Sequence, residues 1–261
     1  MTHDPYQEAL DRLKASKKYA FLCPETLENA LKNAFRRYKK PKDAEKAARE
    51  RLHGITGAFL SPEELRRAED LLNRWTRGDE ELLQKILALH ASTRERLPLC
   101  AMDAVYDRIF SCTGRPESIL DLACGFNPIY LGAHSLRVLG VDIQVDAGQA
   151  IRRWAEKNAL PVRILTRDLT ISPPPGGEFD LTLAMKLLPV LERQSPGAAR
   201  RMLEAISSQW VAVSFPTRTL SGRTIGMEEH YAQWFAQRMP ESYSLEARFV
   251  EGSELIYILR R

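Results

Sequence analysis

The chain is poor in the residues that would tie it to an oxidising compartment, a metal or a membrane. Its 261 residues include four cysteines, Cys23, Cys100, Cys112 and Cys124, and no two of them form a CxxC pair. That argues against both a zinc site and a disulfide framework, so no metal is expected. No apolar run approaches the roughly 20 residues that a spanning helix needs. The opening MTHDPYQEAL lacks the apolar stretch of a secretory leader. The expectation is a cytoplasmic protein with reduced thiols and no membrane partner. A large charge excess is missing too, with 38 Lys and Arg against 34 Asp and Glu and 44% hydrophobic residues. Together with a mean hydropathy of −0.33, this excludes a disordered chain and predicts a real core.

The near balance of charge hides an uneven distribution. Between Arg12 and Arg51 lie 13 Lys and Arg but only 5 Asp and Glu, which leaves the rest of the chain net acidic. The basic residues cluster as Lys17-Lys18, Arg36-Arg37 and Lys39-Lys40, with Tyr19, Phe21, Phe35 and Tyr38 among them. Such a surface suits a nucleic-acid backbone, and it equally suits a plain solvated helix face.

Residues 1–112 read as helices only. Pro24, Pro41 and Pro62 stand where a first helical turn tolerates a missing N–H, and Ser61 with Glu64 makes a capping box. Leu27, Leu31, Ala34 and Phe35 repeat at helical spacing, which predicts a helical bundle. From Ser118 the pattern changes: the short apolar runs SILDLA, RVLGVDI, PVRILT, FDLTLAM, WVAVSF and ELIYIL are separated by helix-length segments. Strands alternating with helices imply a mostly parallel sheet. The runs YSLEARFVE and SELIYILRR meet at Gly252 and predict an antiparallel hairpin at the sheet's edge. The expected fold class is α/β, with an N-terminal all-α helical bundle over residues 1–112. Residues 113–261 resemble the Rossmann-like domain of methyltransferases that use S-adenosylmethionine.

The first strand runs into Asp121-Leu122-Ala123-Cys124-Gly125-Phe126-Asn127-Pro128, a small-residue turn that lets backbone approach a ligand. It is not GxGxxG, which disfavours a dinucleotide. Asp142 closes the second strand about 20 residues on, where a ribose diol is gripped. Asp168 follows the third strand and can accept the exocyclic amine of adenine. Either acid alone reads as a turn or capping residue; the series at successive strand ends points to a ligand site. After the fourth strand comes Ala184-Met185-Lys186-Leu187-Leu188-Pro189, without the Asn/Asp-Pro-Pro-aromatic motif of enzymes that methylate exocyclic amines. No Pro-Cys dipeptide suggests a cytosine-C5 enzyme. A ring nitrogen with a free lone pair needs neither device, only positioning.

The segments SKKYAFLCPET, RLHGITGAF, LHASTRERL, LDLACGFNP, KLLPVLERQ, VSFPTRTLSGRTIGM and GSELIYILRR together resemble the aminoglycoside-resistance methyltransferases acting on N7 of guanine 1405 in 16S rRNA. The resemblance runs nearly end to end. It implies S-adenosyl-L-methionine as cofactor and a pocket built from Phe59, His90, Ala91, Ser92, Arg96, Ala123, Asp142, Asp168, Leu169, Met185 and Gln194. Arg96 would hold the cofactor's carboxylate. Lys186, Glu192 and Arg223 would stand on the catalytic, target-facing side, with Lys17, Lys18, Arg36, Arg37, Lys39 and Lys40 against RNA. Pro216, Arg218, Gly222 and Met227 would shape the substrate edge. Where family members often carry Gly this chain has Ala123, and where they commonly carry Leu it has Phe126. The implied partner is the small (30S) ribosomal subunit at the decoding region of its 16S rRNA, met by a monomer. Methylation of another decoding-site base such as adenine N1, a small-molecule methyltransferase and a non-catalytic ribosome-binding module remain the alternatives.

Overall fold

The computed structural model describes residues 4–56, 60–217 and 226–261. Helix α1 spans Pro5–Lys14, with Asp4 accepting from the Tyr6 amide at 2.9 Å. Helices α2 (Pro24–Arg37) and α3 (Pro41–Thr56) each start on proline, whose fixed φ and missing N–H cost nothing at a first turn. Helix α4 (Pro62–Arg74) is held by the expected capping box: the Glu64 amide donates to Ser61 Oγ at 3.2 Å and the Ser61 amide to Glu64 Oε2 at 2.7 Å. Then follow α5 (Glu80–Leu87), the short α6 (Ala91–Arg94) and α7 (Leu99–Thr113).

Strands then alternate with helices: β1 (Ser118–Leu122), α8 (Asn127–Ala133), β2 (Arg137–Asp142), α9 (Val145–Lys157) and β3 (Val162–Thr166). The chain continues through β4 (Leu181–Met185), α10 (Leu188–Gln194), α11 (Ala198–Ala205), β5 (Trp210–Pro216) and α12 (Met227–Ala236). It closes with β6 (Ser244–Glu251) and β7 (Glu254–Arg260). The sheet order is β3-β2-β1-β4-β5-β7-β6. The first five strands in that order are parallel, and β7 pairs antiparallel with both β5 and β6. The expected hairpin therefore turns at Gly252, with β6 at the edge and β7 inserted beside β5. The chain leaves β1 outward to β3 and returns to the other side of β1 as β4. That topological switch point is where open α/β sheets bind ligands, at the carboxyl ends of the strands.

Alternate strand residues face opposite sides, as the period of two requires. Ile119, Leu183, Ala212, Ile256 and Ile258 enter one core, while Leu120, Leu122, Ala184, Val211 and Val213 enter the other. The first of these cores also takes Leu72, Trp75, Ile86, Met102 and Ile109 from the helical half. Helices α1–α3 have a separate core built on Leu13, Leu27, Leu31 and Leu52. The change from helices to strands falls at the expected position near residue 112, but the cores divide earlier, after α3.

Trp75 is 1% exposed and meets Trp154 of α9 edge-on, with ring centroids 5.2 Å apart. Trp75→Ala is expected to cost about 3–5 kcal/mol in urea denaturation, the usual range for a buried large aromatic. A loss under about 1 kcal/mol would show that α4–α7 are not integral to the sheet's core.

Candidate functional site

The turn after β1 is shaped by two residues in the left-handed region, Ala123 (φ 53) and Gly125 (φ 50). A Cβ on Gly125 would lie 2.5 Å from Cε1 of His90, so this position needs glycine both for its backbone and for the histidine ring packed on it. Ala123 adopts the left-handed conformation despite its Cβ, at a cost of roughly 1–2 kcal/mol. Asp142, at the end of β2, clamps the turn: its Oδ2 accepts from the Gly125 amide at 2.9 Å and its Oδ1 from the Gln144 amide at 3.0 Å. Burial pushes its carboxyl above the usual range, against the N–H donors of Gly125, Gln144 and Ile143.

Asp121, on β1 itself, is fully buried. Tyr106 Oη donates to Asn127 Oδ1 at 2.6 Å, and Asn127 Nδ2 donates to Asp121 Oδ2 at 2.8 Å. Burial raises the Asp121 carboxyl to about 7, with the Asn127 hydrogen bond and the Arg96 charge opposing it and Asp142 adding to it. Asp168, following β3, is 5% exposed. Its Oδ1 accepts from the amide and hydroxyl of Thr170 at 2.8 and 2.6 Å, and its Oδ2 from the Thr26 hydroxyl at 2.8 Å.

His90 caps α6, its Nδ1 3.3 Å from the Ser92 amide and 2.8 Å from the Ser92 hydroxyl. Its ring lies against Phe126, centroids 5.1 Å apart. Burial lowers its pKa to about 4, so it is a neutral wall at pH 7. His90 thus packs on the β1 turn from the helical half, against Gly125 and Phe126.

Beside this turn lies a buried ionic network that the sequence did not announce. Arg96 and Glu254 are paired through Nε–Oε1 at 2.6 Å and Nη2–Oε2 at 3.2 Å, with side chains 3% and 1% exposed. Ser214 Oγ donates to Glu254 Oε2 at 2.5 Å, Lys186 Nζ stands 3.4 Å from Glu254 Oε1, and Lys186 also pairs with Glu95. Burial alone would raise the Glu254 carboxyl; Arg96 and Lys186 hold it down at about 2. Lys186 has a positive φ of 55, and its amide donates to the Ser214 carbonyl and hydroxyl at 3.0 and 3.1 Å.

Glu192 is not part of this network. Its two oxygens accept from the amides of Gly197 and Ala199 at 3.0 and 3.1 Å, and Arg238 lies 3.3 Å away. That is a cap on the start of α11, and no contact with Lys186 occurs among the described residues. Leu169, in the turn after β3, and Met185, the last residue of β4, are half-buried, and Gln194 ends α10. Phe59 and Arg223 lie outside the described residues, as do Arg218 and Gly222. Lys17, Lys18, Arg36, Arg37, Lys39 and Lys40 are all exposed, and none of the six forms an ion pair among the described residues. Of the aromatic residues among them, Tyr19 is buried, Phe21 and Phe35 pack against the α1–α3 core, and Tyr38 is exposed. No metal-binding group of acids, histidines and cysteines occurs among the described residues.

Five parallel strands closed by an antiparallel hairpin, with acids at three successive strand ends and no glycine cradle for a pyrophosphate, define a Rossmann-like methyltransferase of the S-adenosylmethionine-dependent class. The ribosomal RNA methyltransferase (FmrO) family profile matches residues 15–258, and the chain belongs to that family. A 16S rRNA (guanine(1405)-N(7))-methyltransferase of Serratia marcescens is 41% identical over 255 residues, covering 97% of this chain and 98% of that protein. The crystal structure of the 16S rRNA methyltransferase RmtF in complex with S-adenosyl-L-homocysteine matches at a TM-score of 0.90 with 42% identity, covering 100% of both chains. The 16S rRNA methylase RmtB matches at 0.86 with 38% identity, covering 98% of both.

The raised carboxyl of Asp121 sets a pH dependence. Its folded value exceeds the unfolded one near 3.9, so the stability it contributes is whole below that value and is lost as pH rises through about 7. Asp121→Asn is expected to gain stability over the parent steadily between those two values in urea denaturation. Parallel pH profiles for the two proteins would refute this.

Proposed function

We propose that this protein transfers the methyl group of S-adenosyl-L-methionine to N7 of guanine 1405 of 16S rRNA within the small ribosomal subunit, and so confers resistance to aminoglycosides of the kanamycin and gentamicin class. The observation that carries the reading is the end-to-end 41% identity to a relative bearing that name. The pocket fits the cofactor: Asp142 receives the ribose hydroxyls, Asp168 the adenine amine, and the turn at Gly125 passes beneath, with His90, Ala91 and Ser92 as wall. Arg96 offers five N–H donors and gives Glu254 only its Nε and Nη2, which leaves others for the cofactor's carboxylate.

The bound cofactor supplies an electrophilic methyl group on a sulfonium. Guanine N7 carries a free lone pair and loses no proton on methylation, so no general base is required. The demand on the protein is geometric: Lys186, fixed between Glu95 and Glu254, and Arg223 hold the target side. N7 faces the deep, narrow major groove of A-form RNA, and the base is therefore extruded into the pocket at a cost of a few kcal/mol. The exposed cations of α2 and its flanking loops offset that cost through phosphate contacts, which makes binding salt-sensitive. Residues 1–112 thus serve docking and residues 113–261 transfer, in a cytoplasmic monomer. The product carries a methyl and a positive charge on N7, which removes an acceptor and repels cationic drugs.

Incubation with small subunits and labelled S-adenosyl-L-methionine, followed by cleavage specific for N7-methylguanine and reverse transcription, is expected to give a single stop at guanine 1405. A stop elsewhere, or none, would overturn the target. Asp142→Ala is expected to abolish cofactor binding in calorimetry, whereas Arg223→Ala leaves it intact and lowers methylation. Equal loss of cofactor affinity in both would refute that division of labour.

A further inference from the structure

Helices α1–α3 keep their own core, yet they are bolted to the cofactor side of the sheet at two points. The first is a backbone bridge pairing Leu22 antiparallel with Gln144: the Val145 amide donates to the Phe21 carbonyl and the Cys23 amide to the Ile143 carbonyl, each at 2.7 Å. These residues follow Asp142 directly, and the Ile143 side chain packs against the α1–α3 core. The second is Thr26, in the first turn of α2. It is 2% exposed and donates its hydroxyl to Asp168 Oδ2 at 2.8 Å, across 142 residues of sequence.

An ionised carboxylate offers about four acceptor positions. Thr170 fills two at Oδ1 and Thr26 fills one at Oδ2, so both oxygens are tethered, from opposite halves of the chain, with one position to spare. A carboxylate held this way has its plane set before any ligand arrives, which is what selecting one amine demands. A rotating carboxylate could accept from Thr170 alone and present its second oxygen anywhere.

We infer that Thr26 is a positioning residue for the cofactor, fixing Asp168 so that its spare acceptor position takes the exocyclic amine of adenine. The inference rests on Asp168 facing adenine, as proposed above. It makes the basic N-terminal bundle part of the adenosine pocket as well as an RNA-docking surface.

The test is calorimetric binding of S-adenosylhomocysteine and of S-inosylhomocysteine, in which a carbonyl replaces the amine, to the full-length parent, Thr26→Val, Thr26→Ser and Asp168→Asn. Thr26→Val is expected to weaken S-adenosylhomocysteine binding about tenfold, as loss of a hydrogen bond to a charged group does. It should also reduce the preference for adenosyl over inosyl by a similar factor, while Thr26→Ser restores both. In turnover, Thr26→Val should raise KM for S-adenosyl-L-methionine with kcat within about twofold of the parent. If the valine variant does not fold, Thr26→Ala carries the same expectations. Parental affinity and preference in a folded variant lacking the hydroxyl, with Asp168→Asn impaired, would overturn the role of Thr26 and leave that of Asp168 standing. Unimpaired binding by Asp168→Asn would overturn both.

Discussion

The Glu254 carboxylate is the constraint on which the rest of the molecule depends. It opens β7, it is 1% exposed, and it meets Arg96 from the segment between α6 and α7, Lys186 from the end of β4 and Ser214 from β5. Three parts of the chain, the helical half, the parallel sheet and the C-terminal hairpin, converge on it. A buried charge without partners costs several kcal/mol, and a buried pair is tolerated only when geometry and further hydrogen bonds compensate. Here the bidentate guanidinium, the ammonium and the hydroxyl together provide that compensation. With β7 placed between β5 and the edge strand β6, its first residue pairs in register with Pro216 and reaches Ser214 of β5 and Lys186 just past β4.

In the proposed reading, the same network lies between the cofactor side and the target side. Arg96 reaches the network from the side of His90, Ala91 and Ser92, and Lys186 from the side of the β4–α10 turn. The two cations are held on one carboxylate, so their relative position follows from a rigid group and not from two flexible stems. For a reaction whose nucleophile needs no activation, such placement is most of what a protein can contribute.

The strands were legible because six of the seven among the described residues are short apolar runs bounded by turns, and the seventh, the mostly exposed β6, follows from its hairpin with β7. Asp142 was legible for the same reason, as the last residue of β2, and Asp168 as an acid just past β3. Other features were not. Within the helical half, starts were marked at Pro24, Pro41 and Pro62 but not at Pro5, where α1 begins with a buried face of only Ala9, Leu10 and Leu13. The boundaries between α5, α6 and α7 were not marked either: His90 caps a new turn and Pro98 starts another. Glu254 opens the apolar run ELIYIL and pairs in the core with Arg96, 158 residues away, which no local pattern encodes. Thr26 was hidden in the same way. Glu192 shows the converse: its place in a motif suggested a target-side role, while the geometry uses both its oxygens to cap α11.

The most direct test of this account compares Glu254→Gln with the double variant Arg96→Met/Glu254→Gln in urea denaturation. Glu254→Gln leaves buried Arg96 without its counter-charge, and the predicted loss is about 3–5 kcal/mol. Removing the guanidinium as well should recover a substantial part of that loss, giving a coupling energy on the order of 1–3 kcal/mol. A single variant within about 1 kcal/mol of the parent, or simple additivity of the two changes, would contradict the claim that this carboxylate holds the three parts together.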